Sequence, residues 1–187
     1  MAIYLVRHGE TEWAVSRRHT GRTDLALTPR GEEEARALRS RLADVEFDKV
    51  VSSPMQRAVR TAELAGYGSN LKVSPLLAEY DYGEYEGLTS EQIEVLHPGW
   101  ELWRDGCPGG ETPDQALARC RRQLYELELP NGGNSLLFGH GHIFRALTAA
   151  YLRQPVEFGA HLILKVASIS ILDQEHGQPA IDSWDQI

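Results

Sequence analysis

The chain of 187 residues is long enough for one domain with a full core and short for two. Its composition, 42% hydrophobic and 25% charged, is globular; no apolar run approaches the ~18 residues of a membrane span, and the start MAIYLVRHGE lacks the basic and long apolar stretches of a signal peptide. A net charge of −8 argues against nucleic-acid and anionic-membrane partners, while a few local cations still suffice to bind a phosphate.

Along the chain, Ala2–Val6 is a short apolar run that reads as a buried strand. Thr28-Pro29 is an N-cap followed by a first-turn proline, and Ala35, Leu38 and Leu42 then share one helical face. Lys49–Ser52 reads as the next strand. Ser53-Pro54 repeats the cap-plus-proline signal for a helix running to about Ala65, and Thr112-Pro113-Asp114 repeats it again. Ser135–Gly139 reads as a strand and Gly141 to about Arg153 as a helix. Leu162–Val166 and Ser168–Leu172 are β-rich and read as neighbours, with Ala180–Trp184 as an edge strand that offers a surface for self-association. Alternating strands and helices predict an α/β fold, a three-layer α/β/α sandwich around a mostly parallel sheet. The whole chain, residues 1–187, is expected to be one domain. The glycine- and aromatic-rich stretch from Ser74 to Pro113 reads as an irregular insertion over the sheet, with one short helix near Thr89–Leu96. Cys107 and Cys120 have no metal-ligand spacing and read as reduced thiols of a cytoplasmic protein.

Polar clusters follow three strands: Arg7-His8-Gly9-Glu10, Ser52-Ser53-Pro54 with Arg57 one turn on, and His140-Gly141-His142. Ligands of open α/β sheets bind outside the carboxyl ends of strands. Singly, such a histidine is usually structural, such an arginine a surface charge and such a glycine a turn residue. Their recurrence at three strand ends, beside helix N-termini, describes a site for a phosphate or a carboxylate.

At these residues the chain resembles the histidine phosphatase superfamily, the phosphoglycerate mutase-like proteins. The resemblance runs in order through Arg7-His8-Gly9-Glu10-Thr11, Thr20-Gly21-Arg22-Thr23-Asp24, Leu27-Thr28-Pro29-Arg30-Gly31, Ser52-Ser53-Pro54-Met55-Gln56-Arg57-Ala58, Glu79, Gly83-Glu84-Tyr85-Glu86-Gly87 and Gly139-His140-Gly141-His142. It implies that His8 is a nucleophile that becomes phosphohistidine. Arg7, Arg57 and His140 would bind the phosphoryl oxygens, and Glu79 would be the general acid. Thr20, Gly21, Arg22, Gly141 and His142 are further substrate-binding candidates, with His142 balanced between helix capping and substrate contact. It also implies a small phosphorylated metabolite as partner and no cofactor or metal. The physics agrees: a loose phosphoryl-transfer transition state needs positioning and fixed positive charge above all, and a neutral imidazole is the nucleophile. Because Glu79 must begin protonated, an optimum on the acidic side of neutral is expected.

One departure stands out. Many relatives hold an asparagine where this chain has Ala14; Ser16 or a backbone amide is the candidate replacement. The short stretch between Glu79 and His140 favours a phosphatase over a mutase, whose cover is longer; a non-catalytic phospho-ligand module is a third reading. The run Trp100-Glu101-Leu102-Trp103-Arg104-Asp105-Gly106-Cys107-Pro108-Gly109-Gly110-Glu111, together with Asp81-Tyr82-Gly83, looks like the branch of broad-specificity acid phosphatases and sedoheptulose-1,7-bisphosphatase-like enzymes. This implies sugar phosphates or bisphosphates. A second phosphate would need extra cations, for which Arg17, Arg18, His19, Arg22 and Arg104 are candidates. Tyr80, Tyr82, Tyr85, Trp100 and Trp103 would wall the pocket or simply pack the insertion.

Overall fold

A computed structural model describes residues 2–128 and 133–187. Its centre is a six-stranded sheet in the order β3-β2-β4-β1-β5-β6. Strands β1 (Ile3–Arg7), β2 (Lys49–Ser52), β3 (Lys72–Val73) and β4 (Ser135–Gly139) run parallel, and β5 (Ile169–Glu175) and β6 (Gln178–Gln186) complete one side antiparallel.

The central strands are apolar throughout because both faces are covered. Leu5, Val51 and Leu137 point to one face, where they meet α6 (Pro113–Glu128) and α7 (Gly141–Tyr151). Val6, Val50, Leu136 and Phe138 point to the other, against α2 (Pro29–Leu42) and α3 (Gln56–Leu64). Layers of helix, sheet and helix result, as the alternation of strands and helices predicts. Among the described residues no helix is long and apolar enough to cross a membrane.

The register places the site. Arg7 lies beside Gly139 across β1 and β4, and Ser52 beside Phe138 across β2 and β4. The carboxyl ends of three neighbouring parallel strands are therefore level, and the residues that follow them meet.

Three expectations need correction. First, Ser53 does not cap α3: the helix starts at Gln56 with Met55 as its cap residue and no side-chain cap bond. The Ser53 hydroxyl is turned to a histidine instead. Second, Leu162–Val166 is not a strand; it follows a 3₁₀ turn at Val156–His161. Its polar backbone is bound by side chains: the Leu164 carbonyl accepts from the Arg7 guanidinium, the Ile163 carbonyl accepts from Trp184 Nε1 at 2.5 Å, and the Lys165 amide donates to Asp185 at 2.6 Å. β5 pairs with β1 and β6 instead. Third, the stretch after Ser74 is less irregular than it reads. Besides α4 (Ser90–Leu96), capped by Thr89 and Gln92, it carries a helical turn α5 (Leu102–Asp105). Tyr80, Tyr82, Tyr85, Ile93, Leu102 and Trp103 join the core on the α6–α7 face.

Two glycines seat the loop after β1. A Cβ on Gly9 would run into the Gly31 carbonyl, and one on Gly31 into the backbone of Glu10. The loop thus lies flat on the first turn of α2, where Thr28 caps the helix by accepting from the Gly31 amide at 3.0 Å. Gly31→Ala is expected to destabilise the protein by about 1–3 kcal/mol through this backbone collision. Arg30→Ala at the exposed neighbouring position should stay within about 0.5 kcal/mol. Denaturant unfolding of both variants against wild type checks the difference.

Candidate active site

His8 follows β1 directly and is buried, with its backbone amide on the Gly139 carbonyl at 3.0 Å. Its Nδ1 lies 2.7 Å from the Gly9 carbonyl oxygen. A carbonyl only accepts, so Nδ1 carries the proton and Nε2 keeps a free lone pair. Burial, followed by the nearby Arg7 and Arg57 cations, pushes the imidazole pKa well below its usual value. His8 is thus neutral, oriented and basic at Nε2.

Behind it sits a buried polar group. The His140 ring faces His8 with centroids 5.2 Å apart. Arg57 Nε donates to His140 Nδ1 at 3.2 Å, which leaves the proton on Nε2, 2.7 Å from Ser53 Oγ. Burial, then Arg57 and His8, hold His140 neutral as well. Arg57 is fully buried. Its terminal nitrogens donate to the carbonyls of Thr20, Gly21 and Thr23 at 2.9–3.2 Å, and among the described residues no carboxylate lies within salt-bridge distance of it. The amides of Gly21 and Thr23 bind Glu86 at 2.9–3.0 Å, so this loop is fastened from both sides.

Glu79 reaches the N-terminus of α7. Its Oε1 accepts from the amides of Tyr80 at 2.9 Å and Ile143 at 2.8 Å, and its Oε2 from the amide of His142 at 3.1 Å. The His142 ring is placed by Tyr82, whose hydroxyl is 2.5 Å from Nδ1. Burial raises the phenol pKa well above its usual value and, with Arg145, His19 and Arg7, depresses that of His142. Tyr82 therefore donates, His142 accepts at Nδ1, and its Nε2–H remains for the cleft. His142 caps nothing; the cap residue of α7 is His140. A Cβ on Gly141 would sit 3.3 Å from Arg7 Cζ, so glycine lets the guanidinium lie against the start of the helix.

These groups open on a cleft of about 300 Å³ lined by Arg7, His8, Thr20, Glu79, Gly141 and His142 from the expected set. Arg57, His140 and Gly21 stand behind the lining. Arg22 is elsewhere: it is exposed and pairs with Asp81 at 2.5 Å. Arg104 is also outside, paired with Asp105 at 2.7 Å. Arg17, Arg18 and His19 do line the mouth. Ser16 does not stand in for the asparagine that Ala14 replaces; it is exposed, and its hydroxyl donates to the Glu12 carbonyl at 3.1 Å. The Ala14 amide donates to Thr11 Oγ1 at 3.2 Å, capping the helical turn α1 (Glu12–Val15). Tyr82 walls the cleft, whereas Tyr80 and Tyr85 are packing residues. Sequence reasoning missed Arg145, Thr11, Trp13 and Leu164 in the lining. An arginine within a helix reads as a surface charge, and nothing in the local pattern marks it otherwise. No group of three or more His, Cys, Asp or Glu residues among the described residues is arranged to hold a metal ion.

Comparison with known proteins gives the same picture. The family model of the histidine phosphatase superfamily (branch 1) matches residues 3–187. The chain is 40% identical to an acid phosphatase of Mycobacterium tuberculosis, over 94% of this chain and 87% of that protein. It is 34% identical to a probable phosphoglycerate mutase, GpmB, of Salmonella choleraesuis, over 98% and 90% of the two chains. The solved structure of a mycobacterial glucosyl-3-phosphoglycerate phosphatase superposes with a TM-score of 0.88 at 31% identity, covering 100% of this chain and 99% of that one. With the matched span running from β1 through the last strand, and phosphatases among its relatives, the chain belongs to branch 1 of the histidine phosphatase superfamily.

Proposed function

We propose that this protein is a cytoplasmic, metal-independent phosphatase that hydrolyses phosphomonoesters of small metabolites, sugar phosphates among them, through a phosphohistidine at His8. The observation that carries this reading is the fixed, neutral His8 ring with Nε2 unprotonated, near two arginines and in one cleft with Glu79. Nε2 attacks phosphorus as the bond to the ester oxygen breaks, and Arg7 and Arg57 balance the charge on the three equatorial oxygens. His140 keeps Arg57 and Ser53 in place behind the ring. Glu79 gives its proton to the departing alcohol. Its Oε2, with one N–H against it rather than two, is the oxygen with room for that proton. Water then attacks the phosphohistidine, Glu79 takes its proton, and inorganic phosphate leaves with the Nε2 lone pair restored. Each charge that this sequence generates is met by a residue of the chain, so no cofactor is required.

The likeness to a protein named as a probable mutase favours one rival, and one experiment separates the readings. Wild type is expected to release phosphate from p-nitrophenyl phosphate in EDTA and, on rapid quenching, to carry label that is acid-labile and alkali-stable. His8→Ala should lose both, with a rate drop on the order of 10³ or more. Isomerisation of phosphoglycerate without phosphate release would establish the mutase instead, and silence in both assays would leave a binding module.

Two pH dependences follow. Turnover is expected to be highest on the acidic side of neutral, and a profile flat to alkaline pH would remove Glu79 as the acid. For stability, His8, His140 and His142 all have pKa values depressed by burial. Below about pH 6.5 the unfolded chain binds protons at these positions that the native state does not. Their contribution is therefore complete above that pH and is lost as the pH falls beneath it. Urea unfolding from pH 7.5 to 5 should show uptake approaching three protons, and replacing His142 with Gln should lower that number by one.

A further inference from the structure

Glu79 borders two openings. It lines the cleft beside His8 and also a second cavity of about 490 Å³, which it shares with Pro75, Ala78, Gly110, Glu111 and Arg119. With open space at both, packing alone does not fix this residue. Its carboxylate is bound by amides, but it can reach them only from where its backbone stands. That backbone is held by one face of α6. Arg119 Nη1 donates to the Leu76 carbonyl at 2.8 Å and to the Ala78 carbonyl at 2.7 Å. Gln123, four residues on and so on the same face, accepts from Ser74 Oγ at 2.7 Å. Ser74 in turn accepts from the Leu76 amide and caps the 3₁₀ turn Pro75–Leu77. Beyond Glu79, the Asp81 carbonyl accepts from the Glu111 amide at 2.9 Å. The Glu111 carboxylate accepts from Arg119 Nε at 2.9 Å and Nη2 at 2.7 Å. One guanidinium therefore ties down the residues before Glu79 directly and those after it through Glu111. The paired side chains are only 17% and 13% exposed, which leaves water little room to replace these bonds. Two parallel bonds to a carboxylate, with a third nitrogen left for carbonyls, need the planar fork of arginine. Arg119 pairs with Glu111 rather than with Glu79, and it does not line the cleft.

We propose that Arg119 is a positioning residue for the general acid: with Glu111 it clamps the segment 76–81 so that the Glu79 carboxyl group stands at the departing oxygen. This rests on the phosphatase reading above and on Glu79 as its acid. The clamp acts on geometry, and displacing an acid by about 1 Å is enough to cost on the order of 100-fold in rate. Its loss is felt in proportion to how much the leaving group needs a proton.

Three esters of similar shape test this: p-nitrophenyl, phenyl and benzyl phosphate, whose leaving oxygens are increasingly basic. The readout is kcat/KM, which covers the steps up to departure of the alcohol. Glu79→Gln is the reference and is expected to lose most on benzyl and least on p-nitrophenyl phosphate. Arg119→Gln should follow the same order, with a loss of about 10- to 100-fold on benzyl phosphate and within about threefold on p-nitrophenyl phosphate. Arg119→Lys, which keeps the charge but not the fork, should fall between it and wild type. Should Arg119→Gln not fold, Arg119→Gln with Glu111→Gln, which leaves no charge alone in the protein, is read in the same way, and Arg119→Lys decides if neither folds. An equal loss on all three esters, or no loss, would overturn the clamp while the selective loss in Glu79→Gln keeps the acid in place. If Glu79→Gln is itself unselective, Glu79 falls as the acid and the clamp falls with it. If wild type hydrolyses none of the three, the phosphatase reading falls and takes the clamp with it.

Discussion

A fully buried guanidinium, with no carboxylate among the described residues against it, organises this site. The Arg57 charge is taken out of water and held by carbonyl oxygens of the 20–23 loop and by a neutral histidine nitrogen. An ion pair there would satisfy the arginine and cancel the field that a phosphoryl group needs. Dipoles satisfy the hydrogen bonds and leave the charge uncancelled. The rest follows from that choice. Glu86 must fasten the loop that supplies the carbonyls, and His140 must present an unprotonated Nδ1. The imidazole of His140 then carries its proton on Nε2 and needs Ser53 to receive it. Field and burial together keep His8 neutral, which is the state a nucleophile requires.

The acid end of the site obeys a different logic. Glu79 is placed by backbone amides at the first turn of α7, so its position depends on a helix and not on a neighbouring side chain. Arg145 and His142 extend from that same helix. Glu79 and the cleft residues beside it therefore share one rigid support, while His8 is set by the sheet. On the proposed reading, that separation lets the alcohol side vary without disturbing the phosphoryl side.

Much of this was legible in the sequence. Cap-plus-proline pairs at Thr28-Pro29 and Thr112-Pro113 begin helices as expected, each threonine hydroxyl accepting from an amide of the first turn. The same pattern at Ser53-Pro54 misleads, because there the hydroxyl meets His140, just after β4, and the one amide it accepts from, that of Met55, lies ahead of the helix. The β-rich run at Leu162–Val166 misleads for a related reason: propensity describes side chains, whereas the fate of that segment is decided by which groups bind its carbonyls. Arg7, His8, Arg57, Glu79 and His140 were readable through the ordered resemblance, and the structure brings them together. Arg22 belongs to the same motif as Thr20 and Gly21 but points out of the cleft, since adjacent residues of a loop need not share a direction. Arg145 in the lining was invisible because its placement depends on a carbonyl pair and a tryptophan ring that only the folded chain assembles.

The segment at Leu162–Val166 carries a consequence for how such a protein can be altered. It contains none of the signature residues, yet it grips the Arg7 guanidinium, and it is itself gripped by Trp184 and Asp185 close to the C-terminus. A chain shortened after β5 would keep every motif by which its family is recognised and would lose the brace on Arg7. For this protein, intact signatures and an intact active site are separable properties, and the last strand is where they part.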